Sequence, residues 1–281
     1  MSQSIEQAYK VAQQTARKAG GPFLFATLFT RLNTQLELQA LMAFFSAARN
    51  IVTPRVQDTM SLEERQREFG KWMYRWQVAY ENITSDDPYL WTAADVFNRY
   101  EIPVEYGTQV LNAMQTHVSY QGTYETTDEF YTTFLGIGGS IAQVVGYVYG
   151  VADTQNLRTL RYVGQGVQLT QILTRSAHRK KCPLPQDVQT EYDVDIADIF
   201  STEPSKNAKA YLSRYVEEAR GLLNELHSLI PKLTEGTMSA LFIFAFHQAL
   251  LDKLVKRDYV IGQDGVTLSV WERMKVVGYV I

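Results

Sequence analysis

The spacing of apolar residues along the chain is typical of a protein built from helices. Apolar side chains recur three or four positions apart over most of the sequence, which gives each stretch one apolar face. This pattern predicts helices at residues 6–18, 23–51, 62–80, 90–99, 104–117, 127–151, 154–175, 185–200, 204–229 and 234–255. The last of these is apolar on nearly every side, so we expect it in the core.

Local signals mark the ends of several predicted helices. Pro22 lies near the start of the second helix, and Pro54 follows its end. Ser61 begins the sequence SLEE, which is a capping-box pattern and opens the third helix. The tail after residue 258 contains GQDG, which fits a hairpin turn, but we favour a loop followed by a final helix.

Nothing in the sequence divides the chain into separate domains. It contains no internal repeat, no low-complexity segment and no linker rich in proline, glycine or serine. Its 281 residues are enough to bury a sizeable core. We therefore predict a single all-α domain over residues 1–281, with central helices surrounded by others.

Composition and charge narrow the classes of partner. Apolar residues make up 46% of the chain and charged residues 20%, as in soluble globular proteins. The net charge of −3 gives no bulk attraction to nucleic acid or to an anionic membrane, although local basic clusters are compatible with it. Nucleic acid is therefore not an expected partner.

The cysteine and histidine content argues against a disulfide and a structural zinc site, and the longest apolar stretch argues against a transmembrane segment. Cys182 is the single cysteine, so no internal disulfide forms, and four scattered histidines do not fit a structural zinc site. The apolar stretch at 236–250 is interrupted by His247 and Gln248 and is too short to span a bilayer. The polar N-terminus lacks a signal-peptide core. We expect a cytoplasmic protein without a transmembrane segment.

Three glycines interrupt a helix that the pattern places in the core. Gly136, Gly138 and Gly139 lie within the sequence GIGGS, and each costs about 1 kcal/mol relative to alanine. One interpretation is close packing against another helix, or a kink. The other is that the missing side chains leave room for a ligand against the backbone. Both can hold, because a kink can open a pocket.

Several stretches, in order and spacing, resemble the motifs of a known family. The sequence MAFFSAARNIVT at 42–53 resembles YAFCRxxDDxxD, and VGQGVQLTQILTRSAHR at 163–179 resembles GxAxQLxNILRDxxxD. The stretch at 124–142 resembles a segment with a tyrosine and a VAGxVG pattern, and GGPFLFATLF at 20–29 occupies the place of SxSFxxAxxL. From about residue 5 to residue 257, the chain resembles the squalene/phytoene synthase family.

This resemblance implies an isoprenoid synthase-type bundle of helices around a central cavity. In that family, two aspartate-rich motifs on facing helices hold Mg²⁺ ions, and these ions bind the diphosphates of two isoprenyl substrates. Oxygen ligands are what Mg²⁺ requires, and the departure of a diphosphate requires countercharge.

The motif positions of this chain carry none of the expected carboxylates. The first motif has Arg49, Asn50 and Thr53 at these positions, and the second has Arg175 and Arg179. Arginine repels Mg²⁺ instead of ligating it, by about 4 kcal/mol per pair of unit charges at about 4 Å and an effective dielectric of about 20. We therefore expect no metal and no cofactor.

One hypothesis is a catalytically degenerate family member that acts as a binding or assembly scaffold without Mg²⁺-dependent prenyl transfer. Besides the carboxylates, the chain lacks the family's tyrosine, replaced by Thr133, and its N-terminal polar residues, replaced by Gly20, Gly21 and Pro22. This hypothesis implies a protein partner, and it predicts a cavity filled or narrowed by side chains.

The alternative hypothesis is a metal-independent binder or transferase of an anionic isoprenoid, such as a prenyl diphosphate. Guanidinium groups would replace Mg²⁺ as the countercharge. The candidate anion-binding residues are Arg49, Asn50, Thr53, Gln168, Gln171, Arg175, His178 and Arg179. The candidate apolar pocket consists of Phe23, Phe25, Phe44, Leu135, Gly136 and Gly139. This hypothesis predicts an open apolar cavity.

Three blander or rival interpretations stay open at this point. The basic turn HRKK at 178–181 also fits a solvated helix end. The aromatic stretch KWMYRWQVAY at 71–80 fits core packing, or a partner surface if its rings are exposed. An intact synthase would need carboxylates from elsewhere, and the nearby candidates are Glu125, Asp128 and Glu129.

Overall fold

The computed structural model describes residues 4–53, 60–119, 124–174, 184–262 and 264–280. Within these residues the chain is helical and contains no strand, which confirms the predicted all-α fold. The helices are α1 (Ile5–Ala19), α2 (Gly21–Ala26), α3 (Leu32–Val52), α4 (Leu62–Asn82), α5 (Pro88–Arg99), α6 (Val104–Ser119), α7 (Thr127–Glu129), α8 (Leu135–Val148), α9 (Thr154–Thr174), α10 (Gln186–Glu191), α11 (Ile196–Ile199), α12 (Lys206–Asn224), α13 (Leu226–Leu229), α14 (Thr237–Lys256) and α15 (Val270–Val280).

The predicted helix at 23–51 is in fact two helices. A 3₁₀ turn at Thr27–Phe29 follows α2, and the backbone at Thr30 is extended before α3 begins. The Thr30 hydroxyl donates a hydrogen bond of 2.7 Å to the carbonyl of Thr27. Threonine side chains offer the backbone such local alternatives to helical bonding, and apolar periodicity does not report them.

The interruption of the predicted helix at 127–151 lies earlier than expected. A π-helical turn at Phe130–Phe134 joins α7 to α8, and the glycines at 136–139 belong to regular α-helix. The predicted helix at 185–200 is also divided, because the Asp195 carboxylate caps a separate α11 through the backbone N–H of Asp198 at 2.8 Å. The favoured prediction for the tail, a loop followed by a final helix, is confirmed by α15.

The close approach of α8 and α9 explains the glycines of the GIGGS sequence. A Cβ added at Gly138 would lie 2.6 Å from the carbonyl oxygen of Gly164 on α9. A Cβ added at Gly139 would lie 2.7 Å from the Cγ of Arg161. Gly136 faces the same arginine. The two backbones therefore meet at these positions, as the packing interpretation predicts.

The aromatic stretch at 71–80 contributes mainly to the core. Trp72 and Trp76 of α4 are buried, and their ring centroids lie 5.1 Å and 4.7 Å from that of Phe44 on α3. Tyr74 faces solvent instead. The core interpretation of this stretch is therefore confirmed for its two tryptophans.

A network of charged and polar side chains joins α1, α3 and α5. Arg99 lies 2.6 Å from the carboxylate of Glu37 and 2.6 Å from that of Asp95. The Tyr9 hydroxyl donates to Asp95 at 2.7 Å. Because the Glu37 side chain is almost fully buried, this pairing is needed to keep its charge inside the protein.

By length and composition alone, α14 is the one described helix that meets the criteria for a membrane span. It contacts α2, α9, α12 and α15 in the folded chain. Core helices of soluble proteins meet the same criteria, so this finding is weak evidence for a span.

Candidate functional site

A cavity of about 1880 Å³ lies between α3, α8, α9 and α14, with contributions from α2, α4 and the segment before α15. Its walls are mainly apolar and include Phe45, Ile137, Ile141, Val145, Val167 and Phe246. A cavity of this kind, apolar with a few polar groups, is typical of a small-molecule site. Its volume exceeds the usual range of about 300–1000 Å³.

The cavity extends along its bounding helices. On α9 the lining runs from Leu160 to Thr174, which corresponds to about 20 Å at a rise of about 1.5 Å per residue. On α8 the lining runs from Ile137 to Tyr149, at the end of that helix. The shape therefore suits a long apolar chain that lies parallel to α8 and α9.

Polar lining residues gather where α3 and α9 end. Arg49 and Thr53 lie in the last turn of α3 and just after it, and Gln168 and Gln171 lie in the last two turns of α9. The segment before α15 closes on this end, because the backbone N–H of Val266 donates to the carbonyl of Thr174 at 2.8 Å. We call this polar end of the cavity its mouth.

Arg65 is a lining residue that the sequence analysis missed. Its side chain lies in the first turn of α4, lines the cavity and is only 4% exposed. The signal was present in the sequence, because Arg65 shares a helix face with Phe69, Trp72 and Trp76. A cation on the apolar face of a helix is rare, so it marks a candidate site. Since α4 follows α3 after a short connection, Arg65 lies at the same end of the cavity as Arg49.

The predicted anion-binding residues divide into three groups. Four of them line the cavity: Arg49, Thr53, Gln168 and Gln171. Asn50 is exposed on α3 and is not part of the lining. Arg175, His178 and Arg179 lie outside the described residues. The structure thus brings together one residue set from α3 and one from α9, as the spacing of the motifs implied.

The predicted apolar pocket is mostly in other parts of the molecule. Phe23 lines the cavity, but Phe25 is partly exposed and packs on Phe242 at 5.0 Å between ring centroids. Two further predicted residues are fully buried behind the wall: Phe44 and Leu135. Gly136 and Gly139 face Arg161, as described above. Apolar character alone does not tell which side of a buried helix faces a cavity, so these predictions differ from the structure.

Two histidines that the sequence analysis left unassigned line the cavity. His247 of α14 is only 1% exposed, and its Nδ1 lies 2.7 Å from the carbonyl oxygen of Ile243, to which it donates. Burial lowers the pKa of His247 to about 4, so the imidazole is neutral near pH 7. His117 of α6 is hydrogen-bonded to the Tyr124 hydroxyl at 2.5 Å.

The described part of the site does not fit Mg²⁺. No three histidine, cysteine or acidic residues among the described residues come together as a metal site. The charged groups of the described lining are Arg49, Arg65 and Asp264, which leave an excess of positive charge. The alternative carboxylates do not line the cavity, and Glu129 instead accepts from the backbone N–H of Thr126 at 3.3 Å. Among the described lining residues, Asp264 is thus a single carboxylate and not part of a carboxylate cluster for Mg²⁺.

Solved structures share this fold over almost the whole chain. A dehydrosqualene synthase in complex with a ligand superposes with a TM-score of 0.85 at 15% identity, covering 98% of this chain and 96% of that one. Squalene synthase HpnC from Alicyclobacillus acidocaldarius superposes with a TM-score of 0.80 at 13% identity, covering 91% of this chain and 95% of that one. The helical bundle around a central cavity is thus the isoprenoid synthase fold.

Sequence comparison agrees with the fold. The chloroplastic phytoene synthase of Narcissus pseudonarcissus is 22% identical over 199 residues, which is 66% of this chain and 47% of that protein. The match thus spans about half the length of this curated relative. The sequence profile named squalene/phytoene synthase matches residues 16–272, and the chain therefore belongs to the squalene/phytoene synthase family.

Proposed function

We propose that this protein binds an isoprenoid with an anionic head group in its central cavity, without Mg²⁺-dependent prenyl transfer. The observation that carries this proposal is a cavity of about 1880 Å³ that stays open and apolar while arginines, not clustered carboxylates, line its polar end. The family and the names of its structural relatives, dehydrosqualene and squalene synthases, support an isoprenoid as the ligand class.

The interior of the cavity supports the binding of the isoprenoid tail. The lining of α8 is apolar from Ile137 to Tyr149, over about 18 Å, and each CH₂ group removed from water contributes about 0.8 kcal/mol. A fifteen-carbon chain would therefore gain most of its binding free energy here. The gain offsets the entropy that the chain loses when it is immobilised.

The mouth supports the binding of the anionic head. The Arg49 guanidinium is exposed at the end of α3, and that of Arg65 is buried, where water and salt screen its charge less. Guanidinium forks match phosphate oxygens bidentately. The side-chain amides of Gln168 and Gln171 add N–H donors from α9.

The rival hypotheses have less support from the described residues. An assembly scaffold with a filled cavity is not favoured, because the described side chains leave the cavity open. An intact synthase is not favoured, because Glu125, Asp128 and Glu129 do not line the cavity. A binder explains both the open interior and the missing carboxylates.

The test is thermal unfolding of the full chain with farnesyl diphosphate, farnesol or inorganic pyrophosphate, each in EDTA and in Mg²⁺. We expect farnesyl diphosphate to stabilise the protein in EDTA. At about 100 times its dissociation constant, the gain is about 2.7 kcal/mol. Farnesol and pyrophosphate, which each carry half of the ligand, should stabilise it less.

A pair of arginine variants assigns the effect to the mouth. Arg49→Gln should weaken farnesyl diphosphate about tenfold and leave farnesol unchanged, because one charge-assisted contact is lost. Arg158→Gln is the matched control, since Arg158 is exposed near the start of α9 and does not line the cavity. Stabilisation that requires Mg²⁺, with release of pyrophosphate, would mean that the protein is an active synthase. An unchanged melting temperature with every ligand would exclude the binder.

A further inference from the structure

The last helix turns large apolar side chains toward solvent. On α15, Trp271 is 74% exposed and Tyr279 is 81% exposed, and Val270 and Met274 are also exposed. Most large apolar residues elsewhere in the described chain are buried or half-buried. Clustered exposure of this kind marks an interaction surface more often than chance.

The side of α15 that packs against the rest of the protein fixes the orientation of the helix. Val276 and Val280 are buried against the body of the protein, and α15 packs on α14. The Glu272 carboxylate lies 2.7 Å from the ammonium of Lys253 on α14 and also accepts from the backbone N–H of Ser269 at 2.6 Å. A capped and ion-paired helix does not turn freely, so Trp271 faces outward as part of the fold.

Cations flank the exposed apolar stripe. At about 100° per residue, Val270, Met274 and Trp271 share one side of the helix. Lys275 lies beside Trp271, and Arg273 lies beyond Val270, and both are exposed. Among the described residues, neither forms an ion pair with a carboxylate. We call these five residues the α15 face.

This combination fits an anionic lipid surface. Tryptophan, methionine and valine at the centre of a helix face enter the interface between head groups and acyl chains, and flanking lysine and arginine attract anionic head groups. The protein's net charge of −3 gives no such attraction, so the local cations must supply it. A helix that lies in the membrane plane needs only one apolar face, which is what α15 offers.

The α15 face also lies beside the cavity mouth. Thr267, three residues before α15, lines the cavity, and neighbouring Val266 is hydrogen-bonded to the last residue of α9. A membrane bound to this face would therefore lie close to the polar end of the cavity. From these observations we propose that α15 docks the protein on an anionic membrane surface through Val270, Trp271 and Met274.

The first experiment measures co-flotation of the full chain with vesicles and quenching of tryptophan fluorescence by brominated lipid. We expect binding to vesicles of equal parts phosphatidylcholine and phosphatidylglycerol, and about tenfold weaker binding to phosphatidylcholine alone. Of the four tryptophans, Trp271 is the exposed one, so bromine should quench it selectively. Trp271→Phe should keep the binding and lose the quenching.

A set of exposed variants then tests the α15 face itself. Trp271→Ser and Lys275→Glu should each weaken vesicle binding about tenfold at an unchanged melting temperature. Tyr74→Ser, which replaces an exposed aromatic ring on α4, should change neither. Equal binding by wild type and Trp271→Ser would overturn the proposal. So would a dimer in lipid-free solution that Trp271→Ser dissociates, since a second copy would then cover this face.

These results are independent of the function proposed for the cavity. The variants of α15 leave every lining residue intact, so farnesyl diphosphate should stabilise them as it stabilises wild type. Vesicle binding without ligand binding would support the membrane surface and exclude the isoprenoid binder. Ligand binding without vesicle binding would support the isoprenoid binder and exclude the membrane surface.

Discussion

The interior and the mouth of the cavity differ in what they retain from the family. In the interior, α8 and α9 pack closely at Gly138 and Gly164. Both helices contribute apolar residues to the lining there. The mouth is lined by Arg49 and Thr53, which the sequence resemblance aligns with aspartates of the family. The two regions are thus under different physical constraints.

The two regions differ in what a substitution costs the folded protein. Removal of an interior glycine would force two backbones apart, whereas a change of charge at Arg49 is solvated by the water around it. Substitutions at the exposed mouth should therefore cost less stability than substitutions where α8 meets α9. Four predictions test this contrast, from the largest expected effect to the smallest.

Gly138→Val should destabilise the protein by about 3 kcal/mol or more, because the new Cβ would lie 2.6 Å from the Gly164 carbonyl and 2.7 Å from the Cβ of Gln168. Urea unfolding measures this loss. Gly221→Ala on α12 is the control, since nothing lies within 4 Å of its added Cβ. That control should gain about 0.5–1 kcal/mol from helix propensity. Equal effects at both sites would refute the close-packing explanation.

Val167→Trp should fill part of the cavity and weaken farnesyl diphosphate about a hundredfold, equivalent to about 2.7 kcal/mol. Pyrophosphate binding should stay unchanged, because the mouth is not altered. Calorimetric titration measures both. Arg158→Trp, on the exposed side of the same helix, should change neither affinity. Unimpaired binding of the long ligand by Val167→Trp would place the tail elsewhere.

His247 should make stability fall as the solution becomes acidic. Its folded-state pKa of about 4 is below the ordinary value of about 6.5, so the unfolded chain binds the proton first and stability is lost as the pH falls. From about pH 7.5 to about pH 5 this loss is about 2 kcal/mol. Urea unfolding of wild type and His247→Leu at both pH values isolates it.

Glu218 on α12 also titrates in this pH range, so wild type must be compared with His247→Leu. Burial raises the pKa of Glu218 to about 7, so the folded protein takes up this proton and the group favours folding at lower pH. Its effect is opposite to that of His247 and is present in both proteins. If His247→Leu keeps the full acid sensitivity of wild type, then His247 is not its source.

Arg49→Lys should produce the smallest change, about a threefold loss of farnesyl diphosphate affinity in EDTA, because the charge remains while the bidentate fork is lost. The melting temperature without ligand should not move, since Arg49 is exposed. Calorimetry of wild type, Arg49→Lys and Arg49→Gln should rank the affinities in that order. A lysine variant as weak as the glutamine variant would show that geometry, not charge, dominates at this position.

Much of the fold could be predicted from helical periodicity and capping residues. The Ser61 capping box forms as expected, with the Ser61 N–H donating to Glu64 at 2.8 Å. The break at Thr30 was missed, because it depends on a side-chain hydrogen bond to Thr27. Helix ends set by such single bonds leave no trace in an apolar pattern.

The candidate site was predicted less completely. Arg49 and Gln168 were placed through motif spacing, and both line the cavity. Arg65 and His247 were missed, although each is a polar residue on an otherwise apolar helix face. Phe44 was misplaced, because an apolar residue on a buried helix has two apolar environments to face, the cavity and the core.

The sequence by itself determined that the chain is helical and that it has the fold of the squalene/phytoene synthase family. These properties depend on residue type and on spacing along one helix. Only the tertiary structure decided that the cavity stays open, that Arg65 and His247 line it, and that Trp271 faces solvent. The reason is physical: which side of a helix meets core, cavity or water depends on its neighbours, and they are distant in sequence.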